Sequence, residues 1–174
     1  MQNSVQHTGE YATGEDFCRL FLKETDSLYL LSFLLTGEHL LAEKCFVRGL
    51  EDSRKGNPVF NAWARSWARR TIVQRAIQMI RPQTAHDCRT SLTSDRGASH
   101  DMEEPTEIAK IVGLPQFERF VFVMSVLERY SPRECSLLLD CSRSDVIAAQ
   151  TCALQRIALQ SELPATVKSI DSPG

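Results

Sequence analysis

The stretch "SPRECSLLLDCSRSD" at residues 131–145 restricts this chain more than any other. Ser131, Pro132 and Glu134 supply an N-cap, a proline at the first helical position and a capping-box acid. Ser142 and Asp145 repeat the capping spacing and open a second helix. The first helix must then stop near Leu139, which leaves Asp140, Cys141 and Ser142 for the turn. Aspartate tolerates the left-handed backbone that such a turn needs. Before the pair, Phe117, Phe120, Val121, Met124, Leu127 and Tyr130 form one apolar stripe at helical spacing. A longer helix followed by two short capped helices on a tight turn matches the helix-turn-helix pattern, with an ordinary three-helix bundle as the competing arrangement.

The rest of the chain reads as helical too. Thr13 and Asp16 have capping-box spacing, and Phe17, Leu20, Phe21, Leu28, Leu31 and Leu35 follow at helical intervals, predicting a helix over 13–35. "TGE" at 36–38 breaks it, "HLLAEKCFVRGLE" forms the next helix, and "DSRKGNP" at 52–58 is a loop. In "FNAWARSWARRTIVQRAIQMIR", residues 60–81, apolar positions recur from Phe60 through Trp63, Trp67, Ile72 and Ala76 to Ile80. This third helix ends before Pro82, which disfavours helix in the residue preceding it. Residues 82–106 are polar, rich in Ser and Thr, and aperiodic. The expected architecture is all-α: two small helical domains, 13–81 and 107–160, joined by a flexible acidic linker over 82–106, the second domain a helix-turn-helix. A flexible linker of this length spans about 25–30 Å.

Several function classes are excluded as expectations. No run approaches the roughly 20 apolar residues that span a bilayer. The start, "MQNSVQHTGEYATGED", lacks the basic and then apolar pattern of a secretion signal, so a cytoplasmic protein without membrane contact is expected. The 6 cysteines form no C-x-x-C pair. Cys18, Cys45, Cys135, Cys141 and Cys152 sit among apolar residues and read as small buried hydrophobes. His86, Cys88 and His100 amount to no more than half a zinc site, so no metal or other cofactor is assigned. No Gly-rich phosphate loop, H-E-x-x-H or Ser/His/Asp set is present, and no catalytic residue is assigned: the chain is not read as an enzyme.

Charge is distributed unevenly around a net of −2. Residues 1–59 carry 6 basic and 9 acidic side chains, residues 60–81 carry 5 and 0, and residues 82–104 carry 2 and 5. The third helix is thus a positive island that also holds both tryptophans. Arginines hold a phosphate backbone, and aromatic faces receive unstacked bases. At least one of Trp63 and Trp67, four apart, is expected to be core.

Taken together, these features resemble a bacterial RNA polymerase sigma factor of the small, extracytoplasmic-function type. "LTGEHLLAEKCFVRGLE" is similar to the family stretch that pairs with the polymerase clamp. Thr36, Gly37, Glu38, Ala42 and Glu43 match it, and Lys44 stands where a second acid is expected. Phe60, Trp63, Ala68 and Arg69 match the family's aromatic and basic helix. In the second domain, Leu114, Pro115, Glu118, Arg119, Val121, Phe122, Ser131, Glu134, Leu138, Ser142, Val146 and Ala153 match the C-terminal module. The resemblance covers residues 15–81 and 114–157. It implies a first domain that binds core RNA polymerase, through Glu38, Ala42, Glu43 and Phe46, and opens promoter DNA. Arg65, Arg69, Arg70 and Arg75 would contact that DNA. It implies a second domain reading an upstream element through Arg143, Ser144, Thr151 and Gln155, and an anti-sigma factor as a further partner.

The second helix of the helix-turn-helix departs from the family pattern. Its expected exposed positions are Arg143, Ser144, Ile147, Ala148, Thr151, Cys152 and Gln155, with few of the usual cations and with Asp145 at the groove-facing end. Ile147, Ala148 and Cys152 would make an apolar strip suited to a protein partner. A divergent sigma factor is the first reading. The alternative is a sigma-derived regulator that binds polymerase or another regulator through helix faces without reading DNA. Asp101, Glu103 and Glu104 of the linker are further expected to lie within reach of Arg69 and Arg75.

Overall fold

The structure, a computed structural model, describes residues 10–56, 58–84 and 106–161. Among these residues the chain is all-α. The local capping signals determine where its helices begin. Thr13 accepts from the Asp16 amide while the Asp16 carboxylate accepts from the Thr13 amide at 2.8 Å, opening α1 (Gly14–Lys23). Ser131 and Glu134 make the same reciprocal pair, with Pro132 as the first residue of α7 (Pro132–Leu139). Ser142 and Asp145 make it again before α8 (Arg143–Ser161). Asp140 takes the left-handed conformation between α7 and α8, φ 51°, and ends the first helix of the expected turn.

The helix expected over 13–35 is two helices. It breaks at Glu24, whose backbone (φ −112°, ψ 25°) leaves the helical region, and α2 (Thr25–Thr36) restarts at once. The Thr25 hydroxyl donates to the Phe21 carbonyl at 2.8 Å and binds the open end of α1. Phe17 and Phe21 of α1 and Leu28, Leu31 and Leu35 of α2 are all buried. α3 (His39–Lys55) and α4 (Ala64–Ile80) complete the first half, with one 3₁₀ turn (Asn61–Trp63) leading into α4. Gly49 lets α3 and α4 approach closely, since a Cβ there would stand 2.8 Å from Ile72 Cγ1. A strap at residues 10–12 crosses the loop before α4, with Ala12 N–H donating to Val59 at 2.7 Å and Tyr11 stacked on Phe60.

The second half begins with α5 (Glu107–Val112), capped by Thr106, and α6 (Gln116–Phe122). The apolar stripe continues past α6, but as a π-turn (Val123–Leu127) rather than as α-helix. Residues 85–105, most of the expected linker, lie outside the described residues, and with them His86, Cys88, His100, Asp101, Glu103 and Glu104.

The two halves do not keep separate cores. One buried cluster runs from Phe21, Leu28, Leu35 and Ile72 into Phe120, Val121, Met124, Cys135 and Val146. Smaller clusters flank it, one around Phe17, Val59 and Ala64, the other around Leu114, Phe122 and Ala153. Cys45 and Cys135 are wholly buried, and burial pushes both thiols up to about 11, so they behave as apolar filling.

One polar link between the halves is Arg119 on α6. Only 9% exposed, it makes no ion pair among the described residues and donates to backbone carbonyls instead. Nη1 reaches Val112 at 2.9 Å, and Nη2 reaches Thr36 at 3.3 Å and Leu35 at 3.4 Å. The last two carbonyls close α2, where the helix dipole favours a cation. Gly37 makes the contact possible. It holds φ 75°, and a Cβ on it would meet Arg119 Nη1 at 2.9 Å. Arg119→Ala should therefore lower stability by about 2–4 kcal/mol by stranding buried carbonyls, as measured by urea denaturation. Gly37→Ala should act in the same direction, and combined with Arg119→Ala it should add only the cost of its left-handed backbone, about 1 kcal/mol.

The capping boxes carry a pH signature. Hydrogen bonds from Ser131 hold the Glu134 carboxyl below its ordinary range. A lowered folded pKa stabilises fully above the unfolded value and is lost as pH falls through the folded one. Glu134→Gln should thus depress the melting temperature at pH 7 and converge on the parent below pH about 3.

Candidate nucleic-acid interface

The arginines of α4 enter the site from a helix that otherwise packs tightly. Ala64, Ala68, Thr71, Ile72, Val73 and Ala76 are buried, so the arginines take the remaining face. Within the quoted segment they have no acidic neighbour, but the fold brings carboxylates to three of them. Arg65 Nε donates to Glu24 at 2.8 Å. Arg69 donates through Nε and Nη2 to both oxygens of Glu128, and through Nη1 to Ser27 at 2.8 Å. Arg75 donates through Nε and Nη2 to Asp52 Oδ2. The expectation of bare arginines on this helix is corrected accordingly: Arg65, Arg69 and Arg75 are ion-paired within the chain. Arg70 makes no ion pair among the described residues, although Glu134 lies near enough to feel its charge.

The Arg69 contact is the strongest of these. It is bidentate, and Glu128 is nearly buried. The carboxylate raises the Arg69 pKa further, chiefly through the hydrogen bond. Since Glu128 follows the π-turn, this pair also joins α4 to the second half. Glu128 N–H donates to Val123 and Tyr130 N–H to Met124, both at 2.9 Å, which closes the wide turn. Arg129, between them, is held in the left-handed region at φ 59°.

The two tryptophans have different environments. Trp67 packs beside Phe17, Val59 and Ala64, which makes it the core member of the pair. Trp63 is 63% exposed, with its ring edge-on to Phe60 at 5.4 Å. Trp63, Arg65, Arg69 and Arg70 line a groove of about 660 Å³ together with Arg129, Tyr130 and Glu134 of the second half. Sequence reasoning missed Arg129, Tyr130 and Ser27 as partners of the arginine helix. The only trace of Arg129 in the sequence is its place two residues before the Ser131 cap, where the chain must turn.

On α8 the expected face is exposed except at Cys152. Arg143, Ser144, Ile147, Ala148, Thr151 and Gln155 are exposed on α8, and Cys152 is half-buried. The Ser144 hydroxyl is shared with Ser142 at 2.7 Å, and the Thr151 hydroxyl donates to the Ile147 carbonyl. Arg156 turns inward to Glu118, Nε to Oε2 2.9 Å, a charge contact that lacks hydrogen-bond geometry. Burial raises the Glu118 pKa more than Arg156 lowers it. Leu154 and Leu159 extend the apolar exposure of α8 beyond Ile147.

Of the residues expected to meet polymerase, Glu38 and Glu43 are exposed on α3 and its N-cap, and Phe46 is half-buried against Phe21. Ala42 has no exposed surface and serves the packing of α3, so it is withdrawn as a contact. Among the described residues, no cluster of three potential metal ligands occurs, and no helix is long and apolar enough to cross a membrane.

No family model and no curated protein matches the chain. Function therefore rests on the geometry above.

Removing Glu128 should both loosen the halves and free Arg69. Glu128→Ala is expected to cost about 1–3 kcal/mol, less than a fully buried pair because the guanidinium is 25% exposed. Denaturant titration of the variant beside Arg69→Ala and the double variant should give a coupling energy near that value.

Proposed function

We propose that the protein is an RNA polymerase sigma factor that binds core polymerase and promoter DNA. The observation that carries this reading is the helix-turn-helix, with capped α7 and α8, a left-handed Asp140 between them, and an exposed α8 face. The arginine helix supports it. Arg65 and Arg70 border the groove beside the exposed Trp63, a combination that suits a single strand held by its phosphates and stacked on an aromatic ring. Glu38 and Glu43, exposed at the start of α3, are the proposed polymerase contact, and an anti-sigma factor is a proposed regulator. In this reading Glu128 occupies Arg69 in the free protein, and promoter phosphates replace it.

A second reading has its own observation. Ile147 is 54% exposed on α8, with Leu154 and Leu159 also open, which suits a regulator that grips a protein through this helix and reads no DNA.

The test is transcription from a promoter library by core polymerase with the purified protein, together with binding to the promoters selected. The sigma reading expects specific transcripts and DNA affinity that falls steeply with salt. It also expects a loss of at least about tenfold on combining Arg69→Ala with Arg70→Ala. Polymerase binding without transcripts, abolished by Ile147→Glu in a folded variant, would establish the second reading. Absence of polymerase binding would reject the first.

A further inference from the structure

Three unusual features meet at the groove between the halves. The first is the π-turn Val123–Leu127, an energetically poor form of helix that is common at functional sites. The second is Arg129, a long side-chain cation kept at φ 59° two residues after that turn. For a residue with a Cβ, this backbone costs about 1–2 kcal/mol. Strain of this kind persists only where the surroundings impose it, and it clusters at ligand sites. The third is Trp63, a large aromatic side chain left 63% exposed in the groove lining.

After internal pairing, two cations, Arg70 and Arg129, outnumber one carboxylate, Glu134, in the lining. Arg65 and Arg69 are matched by Glu24 and Glu128. Arg70 and Arg129 have no ion-pair partner among the described residues, and Glu134, the remaining acid of the lining, is committed to its cap at Ser131. Two guanidiniums in one groove, one from each half, suit a polyanion that bridges them, and each can bind phosphate bidentately. A neighbouring indole suits a flat ring. The groove volume, about 660 Å³, falls within the range of small-molecule sites.

We propose that this groove binds a free nucleoside di- or triphosphate, with phosphates between Arg70 and Arg129 and the base against Trp63. Because Arg70 belongs to α4 and Arg129 to the second half, the site is complete only while the halves are docked. The ligand therefore stabilises the docked arrangement and competes with any strand that needs the arginine helix. This goes beyond the sigma reading and does not depend on it: binding is measured on the isolated chain, without polymerase or promoter.

The probe is ATP, followed by tryptophan fluorescence and isothermal calorimetry on the full chain, with sodium pyrophosphate and a dT10 oligonucleotide as parallel ligands. One molar equivalent of ATP is expected to bind, quench the fluorescence and raise the melting temperature. Arg129→Gly removes the guanidinium yet favours the same backbone, so the fold is kept. It should weaken ATP about tenfold or more, as should Arg70→Gln. Trp63→Ala should weaken ATP but leave pyrophosphate unchanged. Arg48→Ala, exposed on α3 and absent from the groove lining, should change nothing. Binding of ATP that ignores Arg129→Gly overturns the proposal, as does ATP binding no tighter than pyrophosphate. A dT10 affinity above that of ATP also overturns it and gives the groove to an unpaired strand. Failure of any of these leaves the transcription test of the sigma reading untouched.

Discussion

The seat of Arg119 on the end of α2 holds the molecule together as one body. A buried guanidinium without a carboxylate is a costly group, and burial lowers its pKa. What offsets the cost is geometry. The closing carbonyls of α2 carry the negative end of the helix dipole, and Gly37 leaves room for the planar group to reach them. With Arg119 seated, the apolar stripe of α6 and the π-turn lies against α2, and the two halves share one interior. The groove and the Arg69–Glu128 pair both follow from that docking. The Thr36–Gly37–Glu38 turn thus has a structural role inside this chain, whatever it also offers to a partner.

The same arrangement explains why the arginine helix looked bare in the sequence. Counting charge within a segment detects partners only when they are local. Glu24, Asp52 and Glu128 stand 41, 23 and 59 positions from the arginines they bind. No window over residues 60–81 could contain them. The positive island is real as a stretch of chain, but in space much of it is a set of ion pairs that tie α4 to its neighbours. What remains for a ligand is smaller and differently placed: Arg70, the solvent side of Arg65, and Arg129 from the other half.

What the sequence did make legible was information stored within a few residues. Thr13 with Asp16, Ser131 with Glu134 and Ser142 with Asp145 each announced a helix start, because a capping box is closed by side chains three apart. The short turn between α7 and α8 followed from two such boxes and the room left between them. The exposed face of α8 followed from helical period alone. The break at Glu24, the π-turn and the burial of Arg119 were not legible. Each is imposed by packing across the molecule, where apolar residues from several helices compete for one interior. Apolar spacing over residues 13–35 fits one continuous helix as well as two, so the break at Glu24 left no mark in that spacing.

The π-turn also sets the angular phase of everything beyond it. A helix advances about 100° per residue, so one surplus residue accommodated inside a turn rotates the outgoing chain by that amount. Glu128 meets Arg69 because of this rotation, and Arg129 is aimed by it toward α4. A single-residue deletion between Val123 and Leu127 would restore a regular helix with its interior stripe nearly intact. It would nevertheless swing the junction away from its partner. The turn behaves as a vernier: chain length there, more than side-chain identity, fixes the alignment of the two halves.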